Sequence, residues 1–513
     1  MYFLLKFIIG LILAAAVVIT ALRALFPVPV MRNRKDTLSL PPSKHGPLAD
    51  AIARQPPGTA GLTGILPLED GEGAFAARII LTDLAVSSID AQYYIWRRDL
   101  TGYLLFDALE RAADRGVRVR LLLDDNGTNG LDGELAQLSA HRNIEVRLYN
   151  PFNLRRAKLL SYAFDFFRLN RRMHNKSFTV DGHTTIMGGR NIGDEYFGTG
   201  NNPHFVDIDV LALRGIVAEV AQDFDRYWAA PSVCAAGLIV GGASGADRIA
   251  DGLSRYRDDP QLKDYKEVLE ESAFVSDLIN AALPLEWSKA ILVNDDPVKG
   301  EGAVPREDLL ASRLLKAVGT VRATFDGVSP YFVPGRAGVK AFTKLEKRGV
   351  KLRFLTNSLE ATDVVAVHSG YTKRRKALLR GGVELYELRK QPGQPTGKGK
   401  VRRFGSSGAS LHAKTFAVDA ERIFVGSFNF DPRSTMLNTE MGLLIDSPEL
   451  ARRLQSVFEN SFNGQAWQVE LRGGKLVWID PLTGDETDKE PGSTAVKRLA
   501  LLVVGCLPVE WLL

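Results

Sequence analysis

Residues 174–181 read His-Asn-Lys-Ser-Phe-Thr-Val-Asp, and residues 412–419 read His-Ala-Lys-Thr-Phe-Ala-Val-Asp. Along an extended chain alternate side chains share a face, so His174 and Lys176 point the same way, as do His412 and Lys414. Asp181-Gly182 is a turn signal, and residues 184–187 read as a returning strand that ends in Gly188-Gly189-Arg190-Asn191. The second copy returns through 422–425 to Gly426-Ser427-Phe428-Asn429, with the same spacing from histidine to Asp419. Glycine at 188 and 426 lets a ligand approach the backbone closely. A single His-x-Lys on a strand is ordinary solvated surface. Two copies with the same aspartate and the same Gly-x-x-Asn tail are a repeated site, and they take two of the seven histidines in the chain.

Working outward, the repeat extends to the scaffold. Gly-Val-Arg-Val-Arg-Leu-Leu at 116–122 recurs as Gly-Val-Lys-Leu-Arg-Phe-Leu at 349–355, and 144–149 recurs loosely at 383–388. One long unit used twice is a duplicated domain; a solenoid needs more and shorter units. In the first half, strands at 89–95, 117–123 and 145–149 alternate with helices at 102–114 and 131–139, and Leu104, Leu105, Ala108, Leu109 and Ala112 form one helical stripe. That order predicts an α/β fold, with a parallel sheet covered by helices in each half. The expected segments are a membrane anchor at 1–30, a linker at 31–65, a first domain at 66–230, a linker or insert at 231–285, a second domain at 286–475 and a membrane-proximal end at 476–513. Residues 235–246 are rich in Gly and Ala and read as linker. Residues 391–410 carry Gly, Pro, Ser and four basic side chains and read as a loop feeding the second motif.

Composition sets the outer limits. With 45% hydrophobic and 24% charged residues in 513, the chain is ordinary globular protein, which excludes a mainly disordered or collagenous one. A net charge of +5 suits an anionic partner, lipid or nucleic acid, without choosing between them. Cys234 and Cys506 are too few for a disulfide framework or a cysteine metal site and read as free thiols. Residues 7–22 are an uncharged apolar run, edged by Lys6 and Arg23 and followed by Pro27 and Pro29. A retained anchor is preferred over a cleaved signal peptide, since no small-x-small cleavage site follows, and over a buried helix. Arg32, Arg34 and Lys35 after the run favour a cytoplasmic main domain. Near the other end, residues 499–507 are too short to span; they read as a helix docked on the domain or an interfacial foot with Trp511 at headgroup level. Tyr162, Phe164, Phe166 and Phe167, set among six basic residues between 155 and 172, suit a lipid interface, though the same mixture stacks on single-stranded nucleic acid or fills a core.

About a pseudo-twofold axis, two histidines, two lysines and two asparagines make a cradle for a phosphodiester. One imidazole attacks phosphorus while the other protonates the leaving oxygen. The lysines supply the charge that a metal ion otherwise brings, so no metal and no cofactor are expected. Asp124-Asp125 after a strand suggests a metal pair, but Thr356-Asn357 stands there in the second half, so it reads as loop or cap chemistry.

The duplicated His-x-Lys-x4-Asp with Gly-Ser-x-Asn resembles the phospholipase D superfamily. The segments 92–96, 172–182, 188–194, 426–434, 438–442 and 507–513 resemble, within it, bacterial cardiolipin synthases of the C class. The resemblance implies two phospholipase D-type α-β-α halves packed about a pseudo-twofold axis behind an N-terminal anchor helix. It implies that His174 and His412 are nucleophile and general acid/base, and that Lys176, Lys414, Asn191, Asn429 and Ser427 bind phosphoryl oxygens. Gly189 replaces the serine of the first copy. Asp181 and Asp419 belong to the catalytic motif and are expected to brace its hairpins. A carboxylate from each half is expected to orient the histidine of the other: Glu440, and Asp207 with Asp209 as the competing choice. The implied reaction moves a phosphatidyl group from a donor, phosphatidylethanolamine by resemblance, to phosphatidylglycerol through a phosphohistidine. The implied partners are those phospholipids and the bilayer of a bacterial cell membrane, with no nucleic acid. A hydrolase using water at the same site is the rival, and a silent scaffold is disfavoured by two intact motifs.

Overall fold

The computed structural model describes residues 2–31, 34–56, 61–198, 205–242, 245–390, 410–507 and 510–513. The basic loop expected at 391–410 therefore lies almost wholly outside the described residues, and so does the side chain of Cys506. Cys234 is a buried free thiol.

Each half is a mixed sheet built on the same plan. In the first, Ser88–Ile95, Arg118–Gly127 and Ile144–Tyr149 run parallel, because the helices Leu100–Asp114 and Asp132–Ala140 carry the chain back between them. Asp99 starts the first of these helices by accepting from the amide of Gly102. The motif hairpin, Ser177–Val180 with Thr184–Gly188, adds antiparallel to Ser88–Ile95. In the second half, Thr324–Val328, Lys351–Asn357 and Glu384–Leu388 repeat the parallel set, and Thr415–Val418 with Arg422–Gly426 repeat the hairpin. Among the described residues the first sheet has nine strands and the second ten.

The duplication reaches the interior. Arg120 makes a bidentate pair with Asp90 at 2.7 Å, and in the second half Arg353 pairs with Asp326 at 2.6 and 2.9 Å. All four side chains are buried. Removing one partner of such a pair leaves a buried charge unpaired and costs about 3–5 kcal/mol. The halves join through a shared apolar cluster in which Ile65, Met187, Val210 and Ala212 meet Val328, Ala417, Val425 and Leu443.

The segment boundaries differ from the expected ones. Thr63–Leu68 is already a strand of the first sheet, and Glu286–Ser288 pairs with it. The described residues of the stretch expected as a linker at 31–65 are built into the first half. Asp36 pairs with Arg147 at 2.8 Å, the backbone and hydroxyl of Ser39 donate to Asp225, and Leu48 and Ala51 enter the core. Among the described residues of the stretch expected as linker at 231–285, short helices bury Ile249, Tyr265 and Leu278 against the first half, and Leu283 follows them into the same core. Beyond 475, Lys475–Ile479 and Glu486–Thr487 continue the second sheet. In each case apolar or ion-pairing side chains, spaced too irregularly to read as periodic, find partners only in the folded domain.

Tyr2–Leu25 is one continuous helix with no buried residue. Its 24 residues span about 36 Å, enough to cross a hydrocarbon layer of about 30 Å. It is longer than the uncharged run because Lys6 and Arg23 are inside it. Arg23 pairs with Asp165 at 3.1 Å and donates to the carbonyl of Phe164, which ties the helix to Lys158–Leu169. Near the C-terminus, Ala495–Cys506 docks on Val365–Arg380 yet leaves Val496, Leu499, Leu502 and Val503 exposed. The helix is docked on one side and bare on the other.

Candidate functional site

The two histidines open on one cavity of 440 Å³. Each is held by the opposite half. The amide of His174 donates to the carbonyl of Thr439 at 2.9 Å, and that of His412 to Val206 at 2.8 Å. Nδ1 of His174 lies 2.8 Å from Oε2 of Glu440, and Nδ1 of His412 lies 2.6 Å from Oδ2 of Asp207. Ring faces are packed as well: Tyr94 meets His174 edge-on at 5.0 Å, and Tyr196 meets His412 at 5.2 Å. With Nδ1 engaged and the ring gripped, Nε2 of each imidazole is the nitrogen left to act.

A further pair of equivalent contacts sets the strand just before each histidine. Asp124 accepts from the amide of Met173 at 2.9 Å, and Asn357 holds both the amide and the carbonyl of Leu411 at 2.9 and 3.0 Å. Asp125 in turn accepts from the amide of Phe152, so both aspartates hold backbone of the loops around the motif.

Electrostatics follow from burial. His174 is pushed well below the ordinary histidine value by burial and by Lys176 and Lys414, and His412 is pushed down to about 4 by burial and Lys414 against the pull of Asp207. Burial drives Glu440 up to about 7, only partly opposed by Lys176 and Ser427. Burial acts the same way on Asp207, but His412, Lys414 and Arg190 outweigh it and hold the carboxyl at about 2. Both motif lysines are lowered by burial, and each donates to its histidine's carbonyl, Lys176 at 2.6 Å.

The expected residues do not all reach the cavity. Asn191 and Asn429 line it; Asn191 is held by the amide of Ile95 and the hydroxyl of Tyr196, while the amide oxygen of Asn429 has no partner among the described residues. Ser427, expected on a phosphoryl oxygen, is turned instead onto Glu440 at 2.5 Å and onto the backbone of Met441. Being fully buried behind the carboxylate, it positions Glu440. Asp181 and Asp419 are away from the cavity lining. Asp181 accepts from the amides of Val86, Ser87 and Ser88, and Asp419 from those of Arg322, Ala323 and Thr324, so both clamp the motif hairpin to the neighbouring strand. Asp209, the competing orienter, is buried on Arg78 at 2.8 Å.

Sequence reasoning missed Tyr94, Arg97, Glu195, Tyr196, Tyr331, Asp363, Asp431, Arg433 and Asn438, which line the cavity with the histidines and asparagines. Tyr94, Asp431 and Arg433 lie inside segments already singled out, and their position beside the motif was the available signal. A larger cavity of 630 Å³ opens between the halves, lined by Val210, Val425, Leu454 and others. It contains neither histidine.

The lip of the smaller cavity leads to the apolar surfaces. The amide and Nε of Arg433 donate to the carbonyls of Leu513 and Leu512 at 2.9 and 3.0 Å. Trp511 stacks on Phe167 at 6.5 Å, and both rings are exposed. Phe164 is buried against Phe26, and Phe428 and Phe430 pack into the aromatic core of the second half around Phe325, Phe332 and Phe354.

Residues 80–228 and 314–462 each match the family model described as cardiolipin synthase, PLD-like domain. The chain is 50% identical to cardiolipin synthase C of Escherichia coli over 88% of this chain and 97% of that one. It is 32% identical to an uncharacterized protein of Helicobacter pylori over 80% of this chain and 81% of that one. Among solved structures, a phosphatidylserine synthase from Haemophilus influenzae matches with a TM-score of 0.58 at 14% identity, over 89% of this chain and 98% of that one, a likeness of fold.

Proposed function

The chain belongs to the cardiolipin synthase family of phospholipase D-like proteins, and from that premise we propose that its two crossed histidine–carboxylate pairs carry phosphatidyl transfer. It is a membrane-associated phosphatidyltransferase with phospholipid substrates. The donor is phosphatidylethanolamine and the acceptor phosphatidylglycerol, handled at the cytoplasmic face of a bacterial cell membrane.

The observation that carries the mechanism is the pairing of each Nδ1 with a carboxylate from the opposite half, at 2.8 and 2.6 Å. Nε2 of His174 attacks the donor phosphorus. The N–P bond forms, the P–O bond to the headgroup breaks, and the leaving alcohol takes a proton from Nε2 of His412. Burial and the lysines keep His174 unprotonated and nucleophilic. They also press His412 to lose its proton, and the entering phosphodiester anion is the counter-charge that lets it keep one. In the second step His412 removes the proton from a hydroxyl of phosphatidylglycerol. That oxygen bonds to phosphorus, the N–P bond breaks, and cardiolipin leaves with His174 restored. Lys176, Lys414 and Asn429 stabilise the equatorial oxygens in both steps. Asp207 and Glu440 fix the tautomers and share the charge of each imidazolium.

The test is a lipid assay with the purified full chain in mixed micelles, omitting each phospholipid in turn. Cardiolipin formation that needs both lipids and releases ethanolamine is the expected result. Cardiolipin formed from phosphatidylglycerol alone, at an undiminished rate, overturns the donor assignment. Phosphatidic acid as sole product overturns the transferase.

A further inference from the structure

The duplication makes the two flanks of the cavity comparable position by position, and they differ in charge. In the segments after the motif hairpin, Asn191 is equivalent to Asn429, so Gly193 stands against Asp431 and Glu195 against Arg433. The loop that follows Asp124 and the one that follows Asn357 have equal length, ending at helices that start at Asp132 and Val365. Gly130 therefore stands against Asp363. Of these, Glu195, Asp363, Asp431 and Arg433 all line the cavity; Glu195 is paired at 3.0 Å with Arg97, which lines it too, so Asp363 is the exposed carboxylate of this flank left without an ion pair among the described residues.

Arg433 belongs to the His174 flank. It donates to the carbonyl and side-chain oxygens of Asn170 at 3.2 and 3.1 Å and to the C-terminal carbonyls, next to the exposed Phe167–Trp511 lip. The His412 flank is different. Tyr196 packs on the His412 ring, and the hydroxyl of Tyr331 donates to Oδ2 of Asp363 at 2.8 Å. Asp363 is solvent-exposed and has no ion pair among the described residues. The neighbouring Asp431 is buried and pushed up to about 7 by burial, only partly opposed by the amide of Ser434 and by Arg433. The partnerless acceptor oxygen of Asn429, 3% exposed, faces the same space.

A phosphodiester by itself gains nothing from these groups, since carboxylates repel it. They suit a cation that donates hydrogen bonds beside an aromatic face. We propose that Asp363, with the rings of Tyr331 and Tyr196, forms the subsite for the ammonium of the donor headgroup. This rests on the donor assignment made above. It orients the donor across the cleft: the ammonium on the His412 flank, the diacylglycerol on the Arg433 flank toward the apolar lip. The leaving alcohol then departs beside His412, the residue assigned to protonate it.

The test is a competition assay on the full-length protein, with equal phosphatidylethanolamine and phosphatidylglycerol in mixed micelles and differently labelled headgroups. Asp363→Asn is expected to lower the ratio of ethanolamine to glycerol released by about tenfold, the loss of roughly one strong charged contact. Asp363→Glu, which keeps the charge, is expected to recover most of it. A folded D363N with an unchanged ratio, or with both releases lowered equally, overturns the subsite and leaves the donor assignment standing. Wild-type protein that releases glycerol but no ethanolamine overturns the donor assignment and the subsite with it. Thermal melting of each variant separates these outcomes from misfolding.

Discussion

A Cβ on residue 189 would lie 2.1 Å from Oδ1 of Asp207. The glycine that breaks the symmetry between the two motifs is therefore what lets Asp207 reach His412. In the other half Ser427 fits beside a longer side chain and donates to it, so a serine–glutamate pair does what the glycine–aspartate pair does. Gly189→Ala is expected to push the carboxylate off Nδ1 and to lower turnover on phospholipid at least 100-fold, against a smaller loss for Ser427→Gly, which removes one hydrogen bond. Initial rates on mixed micelles decide it; a folded G189A variant with wild-type turnover would falsify the orienting role of Asp207.

His174→Ala and His412→Ala are each expected to lower turnover more than about 1,000-fold while the protein stays folded. The two differ in what they trap. With His412→Ala, the phosphatidyl group should be found on His174 after a denaturing quench at mildly alkaline pH, where the N–P bond survives, whereas His174→Ala should form no adduct. Mass spectrometry of the quenched proteins reads this directly, and an adduct confined to residue 412 in the wild type would reverse the two roles.

The pH dependence is expected to follow Glu440, which burial raises to about 7. Its ionised form is the one that accepts from Nδ1–H of His174, so the rate should rise as pH passes through about 7, and Glu440→Gln should abolish the rise along with most activity. Stability runs the other way. The folded protein holds this proton more tightly than the unfolded chain, whose ordinary value is 4.5, so the favourable contribution present below that value is lost as pH rises through about 7. E440Q should therefore melt above wild type at about pH 8 and close to it at about pH 5. A flat rate profile between these values, with unchanged melting order, would reject the assignment.

The exposed rings at the lip bear on what attacks the phosphohistidine. Phe166 and Phe167 are 36% and 70% exposed, so replacing both with serine should leave the melting temperature within a few degrees of wild type. Water should then enter the cleft more readily, and the ratio of phosphatidic acid to cardiolipin should increase several-fold. An unchanged product ratio in the folded double variant counts against the lip as a water barrier. Phe428 and Phe430 are no part of such a barrier, because both are packed in the second core.

Deleting residues 2–29 should release most of the protein from vesicles and preserve turnover on micellar lipid, since the helix over this stretch contributes no residue to the cavity. Residual binding through the lip should weaken in high salt as far as it depends on the basic residues around 155–172. Sedimentation with vesicles and a micelle assay on the same preparation measure both. A folded but inactive truncation would mean that the contact of Arg23 with Asp165 shapes the site.

The sequence by itself determined the duplication, the α/β class, both histidine–lysine pairs and the apolar N-terminal helix. Each rests on information local in the chain: a repeated string, an alternation of strand and helix periods, an uncharged run. Asp207 and Glu440 were legible only through family resemblance, because 205 and 266 residues separate them from the histidines they touch. Ser427 was misplaced for the same reason: whether its hydroxyl faces ligand or carboxylate depends on where Glu440 arrives from the neighbouring strand. The expected linkers at 31–65 and 231–285 proved to be parts of the first half, since their few apolar and charged side chains acquire meaning only against the surface they cover. Tertiary structure alone decided the charge of the two flanks. Equivalent positions in a duplicated chain become opposite walls of one cleft only when the pseudo-twofold brings them face to face, and no local pattern in the sequence encodes that encounter.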